Sequence, residues 1–456
     1  MYETQNTLTN DTHMKNILII GAGLSSTSLI QYLLKHSEKN NWKITVGDMS
    51  LESAQKKINN HPNGTALRFN LKDLEQRAEE ISTADIVVSM VPASMHIIVA
   101  KECLRHRKHM LTPSYVSSEM MELDEEAKEK GLCFLNELGV DPGLDHMSAM
   151  KIIDQIKERG GKIKTFKSFC GGLVAPDCDN NPWNYKFSWN PRNVVVAGQG
   201  TAQFKENNHY KYIPYHKLFS TLTKTQITGY GDFEVYPNRD SLQYCELYGL
   251  NNIPTIMRGT MRRPGYSEAW NVLVQLGCTD DTYIMKDSHK LTYLDYLLSF
   301  LPDSEKSTEE NLADFTHIDV NSLIMTKLKW LGLFSDEVVA LKNATPAMIL
   351  QKILEQKWAL EPTDRDLLVM QHLFDFEING ERKRITSSMT YEGTDREHTA
   401  MSYTVGTPLA IATKLLAKDK IHLKGVHIPT LPELYKPILT ELENLGIKFI
   451  EEETVL

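Results

Sequence analysis

A chain of 456 residues is too long for one ordinary hydrophobic core, so two or three domains are expected. Hydrophobic residues at 41% and charged residues at 24% describe a globular protein, and no apolar run approaches the ~20 residues that a membrane-spanning helix needs. A formal net charge of −9 gives no electrostatic reason to expect nucleic acid, and six scattered cysteines without Cys-x-x-Cys pairing argue against a disulfide framework or a zinc site, which fits a reducing cytoplasm.

Residues 1–13 are polar and lack an apolar core, so they read as a disordered tail and not as a signal peptide. From Asn16 to Asn136 short apolar runs alternate with helical patterns. The strand candidates are Ile17–Ile20, Ile44–Val46, Ala66–Phe69, Ile86–Met90, Met110–Thr112 and Leu132–Leu135; between them lie Leu24–Lys35, Leu51–Ile58, Leu71–Ile81, Met95–Arg105 and Ser118–Lys130. Each intervening segment is long enough for a crossover helix, which predicts an α/β doubly wound parallel sheet over 14–142. From Lys162 longer alternating strands appear, at Lys162–Cys170, Val194–Ala197, Phe233–Tyr236 and Thr255–Arg262, and read as a mixed α+β domain over 143–288. Residues 289–361 carry apolar positions at helical spacing and read as a small helical subdomain. The strands Leu367–Ile378 and Arg384–Met389 flank Asn379-Gly380, a hairpin signal, so 362–399 is expected to rejoin the second domain. In the tail, Pro408 is expected to open a helix Leu409–Leu416, followed by Leu431–Leu445, with 400–456 completing the first domain.

Two stretches point to chemistry. Gly21-Ala22-Gly23-Leu24-Ser25-Ser26 follows the first strand and opens a helix, the context a phosphate-cradling glycine loop requires. Gly21 makes the turn, Gly23 lets backbone approach a pyrophosphate, and the small Ser26 still permits close packing. Asp48 ends the second strand somewhat farther along than the usual ~20 residues, where a carboxylate meets ribose hydroxyls. A carboxylate there disfavours an added 2′-phosphate by roughly 1–3 kcal/mol, so NAD is expected over NADP, although Ser50, Lys56 and Lys57 lie near enough to host that phosphate. Val91-Pro92, after the fourth strand, is expected under the ribose and nicotinamide. The second stretch, Asn136–His146, is a strand-to-helix turn in which Asp141-Pro142-Gly143 bends the chain and Asp145 caps a helix beginning at His146.

Several uncommon strings together resemble the saccharopine dehydrogenase family, in particular its glutamate-forming members. They are Asp85–Pro92, Thr112-Pro113-Ser114-Tyr115, Asn136–His146, Cys170–Pro176, Asn181–Trp189, Tyr236–Ser241, Met257–Thr260, Arg365–His372, Ala400-Met401 and Thr404-Val405-Gly406, in the family's order. The sequence departs from the family pattern at Val174, Asn184 and Tyr403. The resemblance implies a Rossmann domain completed by the C-terminal segment, a catalytic domain, a small helical domain and commonly a homodimer. It also implies a reaction: oxidation of saccharopine at its secondary amine with NAD(P)+, then hydrolysis to glutamate and 2-aminoadipate 6-semialdehyde.

Asp141, at a strand end, is suited to hold an amine or take a proton from water; the plain alternative is a turn residue before Pro-Gly. Cys170, beside Gly171-Gly172, is otherwise an inert core thiol, and Tyr115 is otherwise packing. Ser114 is placed with the cofactor. A substrate with three carboxylates needs cations, and Arg239 and Arg258 are the candidates because guanidinium binds carboxylate bidentately. Lys186 and Trp189 are expected as a charged and an aromatic wall, while His146 and His372 read as structural. A carboxynorspermidine- or homospermidine-type reductase and a non-catalytic dinucleotide-binding regulator are the alternatives. The expected partners are small molecules, with no nucleic acid, membrane or metal.

Overall fold

In the computed structural model, which describes residues 14–197 and 199–456, the apolar runs of the first third become six parallel strands. They are β1 (Lys15–Ile20), β2 (Trp42–Asp48), β3 (Gly64–Arg68), β4 (Ile86–Ser89), β5 (His109–Leu111) and β6 (Cys133–Leu135). The expected tail over 1–13 lies outside the described residues. Then come β7 (Lys162–Val174), β8 (Ala202–Glu206), β9 (His209–Ile213), β10 (Thr223–Ile227), β11 (Gly231–Pro237), β12 (Thr255–Arg262), β13 (Asp366–Ile378), β14 (Glu381–Glu392), β15 (Gly425–His427) and β16 (Ile450–Val455). The chain divides into two compact units: residues up to Leu144 with Val405–Ile438, and Asp145–Thr404 with Leu439–Leu456.

The first unit is a doubly wound sheet in the order β15-β6-β5-β4-β1-β2-β3, with every pairing parallel. Helices at Thr27–Asn40, Leu51–Ile58, Leu74–Thr83 and His96–His106 cross between strands. Both sheet faces are covered, which is why Ile17–Ile20 and Ile86–Val88 are continuous apolar runs and wholly buried. Side-chain caps fix helix starts: Ser50 accepts from Ser53 N–H, and Asp73 accepts from the N–H groups of Glu75 and Gln76. The single helix expected over Ser118–Lys130 is broken into Ser118–Met121 and Asp124–Glu129. The break turns Asp124 toward β15, where its carboxylate accepts Val426 N–H at 2.8 Å.

In the second unit the main sheet runs β10-β11-β12-β7-β13-β14-β16, and the β8–β9 hairpin joins it through β12. The β7–β12 pairing is parallel and its neighbours antiparallel, giving the mixed sheet that the sequence implies. Asn379 and Gly380 both take positive φ (51° and 82°), the conformation a two-residue hairpin demands, and they join β13 to β14. Helices Tyr293–Leu298, Thr308–Thr316, Leu323–Leu331 and Pro346–Lys357 occupy the segment read as helical. Thr292, Ser307, Ser322 and Thr345 cap them. Their buried side chains, including Tyr296, Leu328 and Ile353, share one core with Phe169, Trp183 and Trp270.

Three local expectations are corrected. Val194–Ala197 is not a strand: Asn190 accepts Arg192 N–H and Pro191 sits at the first helical position, so Pro191–Val195 is a helical turn. Pro408 lies inside the helix Ala400–Ala417 instead of opening one, because Asp366 accepts the N–H groups of Ala400 and Met401 (2.5 and 3.0 Å) and starts the helix earlier. Asp145 is within the first turn of helix Leu144–Glu158, and its carboxylate pairs with Arg258. Of the tail, Val405–Ile438 belongs to the first unit, whereas β16 adds an antiparallel strand to β14 of the second.

Candidate active site

At the carboxyl end of β1 the loop geometry suits a dinucleotide. Gly21 has φ 112°, and an added Cβ would lie 2.7 Å from the carbonyl oxygen of Met90, so only glycine fits this turn. An added Cβ on Gly23 would meet nothing within 4 Å, which leaves room for a ligand above the loop. The N–H groups of Gly23, Leu24 and Ser25 make no hydrogen bond among the described residues, whereas Ser26 folds back, its hydroxyl donating to the carbonyl of Gly23 at 2.8 Å. Free N–H groups ahead of the helix Thr27–Asn40 form the donor set that phosphates use. The residues present therefore fit a pyrophosphate.

Asp48 ends β2, half-buried, and holds the loop in place. Its Oδ2 accepts Ala22 N–H at 2.7 Å and its Oδ1 accepts Ser50 N–H at 2.8 Å. Beside it in register stands Arg68, the exposed last residue of β3, with no side-chain partner among the described residues. Val91 and Pro92 follow β4.

Ser114, after β5, is tied from below: its Oγ lies 2.7 Å from His96 Nε2, and His96 Nδ1 lies 2.8 Å from Ser89 Oγ. Burial lowers His96 to about 4, so the imidazole is neutral at ordinary pH and bridges two hydroxyls. Next along the chain, backbone bonds zip 112–116 to 135–138: Thr112 N–H to Leu135 O, Leu138 N–H to Thr112 O, and Glu137 N–H to Ser114 O. Buried Glu137 completes this, its carboxylate accepting Val116 N–H at 2.9 Å. The result is that the Tyr115 phenol donates to Asp141 Oδ1 at 2.9 Å. A phenol and a carboxylate far apart in sequence are thus brought together at the carboxyl ends of β5 and β6. Gly143 lets the turn close, since an added Cβ would sit 2.1 Å from Gly139 O.

In the second unit Cys170 is buried on β7, in register with Thr260 of β12 and Met370 of β13. Arg239 follows β11, exposed, in a left-handed conformation (φ 49°) uncommon for a non-glycine residue. Arg258 and Lys186 are deeply buried with carboxylate partners. Arg258 Nη2 lies 2.7 Å from Asp145 Oδ2, with the guanidinium 4.3 Å above the Tyr244 ring; Lys186 Nζ lies 2.5 Å from Asp364 Oδ2. Each of these buried cations, expected from the sequence at the substrate pocket, therefore has a carboxylate partner within the protein. Trp189 is half-buried and packs on the core.

The cation that sequence reading missed is Arg262, at the end of β12. It is 3% exposed, yet no carboxylate pairs with it among the described residues. Its guanidinium sits among the rings of Tyr185, Tyr266 and Tyr236 (4.9, 5.2 and 5.9 Å), with Nη1 donating to Met261 O and Nε lacking an acceptor. Burial raises the phenols of Tyr185 and Tyr266, so both stay neutral and cannot balance the charge. Glu234 stands opposite in register, but its oxygens accept the N–H groups of Gly265 and Ser267. A signal was present: 258, 260 and 262 share one face of a strand.

Comparison with known proteins places the chain in a family. Residues 17–135 match the family model described as the saccharopine dehydrogenase NADP binding domain, and 139–447 match that of the saccharopine dehydrogenase C-terminal domain. The chain is 36% identical over 451 residues to saccharopine dehydrogenase [NADP(+), L-glutamate-forming] of Schizosaccharomyces pombe, covering 96% of this chain and 99% of the relative. It is 34% identical to the mitochondrial alpha-aminoadipic semialdehyde synthase of mouse, covering 97% of this chain but 48% of that protein. The solved apo saccharopine dehydrogenase (L-Glu forming) from Saccharomyces cerevisiae superposes with a TM-score of 0.87 at 31% identity, over 96% of this chain and all of that one. A homospermidine synthase from Legionella pneumophila, solved with NAD, has a TM-score of 0.54 at 10% identity over 97% of this chain and 92% of that one, a likeness of fold alone. With both halves matched, and a full-length relative at this identity, the chain belongs to the saccharopine dehydrogenase family.

Proposed function

We propose that this chain oxidises saccharopine with NADP+ and water, releasing glutamate and 2-aminoadipate 6-semialdehyde. The observation that carries the substrate class is Arg262, a buried guanidinium without a counter-ion. Burying an unpaired charge costs several kcal/mol, so such a group is retained where a ligand carboxylate completes it. A diamine substrate would bring positive charge to a cation, which disfavours the polyamine-forming alternative.

NADP+, when bound, accepts the hydride. Asp141, oriented by the Tyr115 phenol, takes the proton of the secondary amine before hydride leaves the adjacent carbon, passes it to solvent, and as a carboxylate again takes a proton from the water that opens the imine. Arg262 and Arg239 hold carboxylates, and Cys170 contributes a small, weakly polar wall. Ser114 and the free N–H groups of Gly23, Leu24 and Ser25 hold the cofactor. NADP fits better than the NAD expected from Asp48, because both carboxylate oxygens are engaged by backbone N–H groups while Arg68 and Ser50 stand exposed beside them. A guanidinium and a hydroxyl at that edge suit a 2′-phosphate. A reducing compartment suits the six free thiols, and a homodimer is what the family resemblance implies.

The test is reduction of NADP+ by the purified protein with saccharopine, set against polyamine-pathway amines. Activity with saccharopine alone is expected; activity with the amines alone would reject the reading.

A further inference from the structure

A cavity of about 430 Å³ opens at the end of the first sheet opposite the glycine loop. Lys15 and His109 are the first residues of β1 and β5, Ile86 is the first of β4, and Lys424 directly precedes β15. The glycine loop follows the other end of β1, so roughly 20 Å of strand separates the two places.

Four cationic residues, Lys15, Arg107, Lys108 and Lys424, are among those lining the cavity, with two carboxylate residues, Asp85 and Asp419. The surplus is positive in a chain whose net charge is −9. Lys15 is already engaged with Asp419 at 3.0 Å and with the carbonyl of Ala417 at 2.7 Å, and Asp85 accepts Asn16 N–H at 2.7 Å. Arg107, Lys108 and Lys424 make no ion pair among the described residues. His109 Nδ1 accepts Cys133 N–H at 3.0 Å, which places the ring proton of the neutral imidazole on Nε2, a donor without a protein partner among the described residues. Arg107 also holds a left-handed conformation (φ 55°) at the end of helix His96–His106, a position that glycine or asparagine takes more readily. Clustered, unneutralised donors in a concave site of this size concentrate a positive field and suit a small polyanion.

We propose that this cavity binds a small di- or trianionic metabolite, through phosphate or carboxylate groups held by Arg107, Lys108, Lys424 and His109, at a site separate from the cofactor. The inference does not depend on which substrate the enzyme oxidises.

The test is calorimetric titration of the NADP-saturated full-length protein, at low ionic strength, with inorganic pyrophosphate and with citrate. One saturable site per chain is expected, with Kd below about 1 mM for at least one probe. The tighter probe identifies phosphate or polycarboxylate as the natural chemistry. The double variant Lys108→Gln/Lys424→Gln should weaken binding by about tenfold or more, and Arg107→Gly, which also suits the left-handed backbone, by several-fold. A control that removes the same charge elsewhere, Lys72→Gln/Lys448→Gln, should leave binding unchanged. Absence of saturable binding by either probe, or equal weakening in the control, would overturn the proposal.

Discussion

Arg258 and Arg262 lie four residues apart on one strand, yet their surroundings assign them different work. Arg258 is paired with Asp145, 113 residues away, so Arg258→Ala should strand a buried carboxylate and destabilise the protein by roughly 3–5 kcal/mol, seen as a lowered Tm with intact cofactor binding. Arg262→Ala should instead raise KM for saccharopine by about 10²-fold, with Arg262→Lys recovering part of it; unchanged KM in Arg262→Ala would remove this residue from the substrate set. Asp141→Ala should lower kcat by roughly 10²-fold with NADP affinity nearly unchanged, and Tyr115→Phe should cost less. Wild-type kcat in Asp141→Ala would reduce that residue to a turn former. Sequence reading found the arginine-bearing strand but not the difference between its members, because counter-ions come from distant elements. Asp145 and Asp364 became visible as partners only once folding placed them. His96 escaped notice for a similar reason, since nothing in its local sequence marks the two serines it bridges.

Elements were legible where one physical constraint dominated. Strands buried on both faces gave apolar runs, and Asn379-Gly380 gave a hairpin. Elements set by remote contacts were not: β16 is an exposed, glutamate-rich strand that only its pairing with β14 defines, and the start of Ala400–Ala417 is set by Asp366 on β13. Asp366 gives that helix a pH signature. Burial raises its carboxyl to about 6 from an unfolded value near 3.8, so the native state binds this proton more tightly. The corresponding stability, about 3 kcal/mol, is present below pH ~4 and lost as pH rises through ~6. His96 acts in the opposite sense: lowered to about 4 by burial, it contributes stability above pH ~6.5 that is lost as pH falls through ~4. The two slopes oppose, so Asp366→Asn should unmask stability that climbs between pH 4 and 6.5 in urea unfolding. A profile identical to wild type would show that Asp366 does not titrate in this range. At the edge formed by β2 and β3, Arg68→Ala should weaken NADP by about tenfold and leave NAD almost untouched. Equal losses for both cofactors would place the 2′-phosphate elsewhere.

At the scale of the whole molecule, the chain forms two units. One is a doubly wound sheet with a phosphate-binding loop, and the other is a mixed sheet bearing the buried Arg262. The C-terminal segment serves both, giving β15 to the first sheet and β16 to the second. The glycine loop indicated a dinucleotide. That loop alone does not say which bond is oxidised, since saccharopine can be cleaved on either side of its secondary amine; the strings shared with glutamate-forming members do. The decisive measurement is therefore the identity of the amino acid released when the purified protein turns over saccharopine with NADP+, read by mass spectrometry. Glutamate, in amounts matching the NADPH formed, is the predicted product; lysine with 2-oxoglutarate would contradict the proposed reaction.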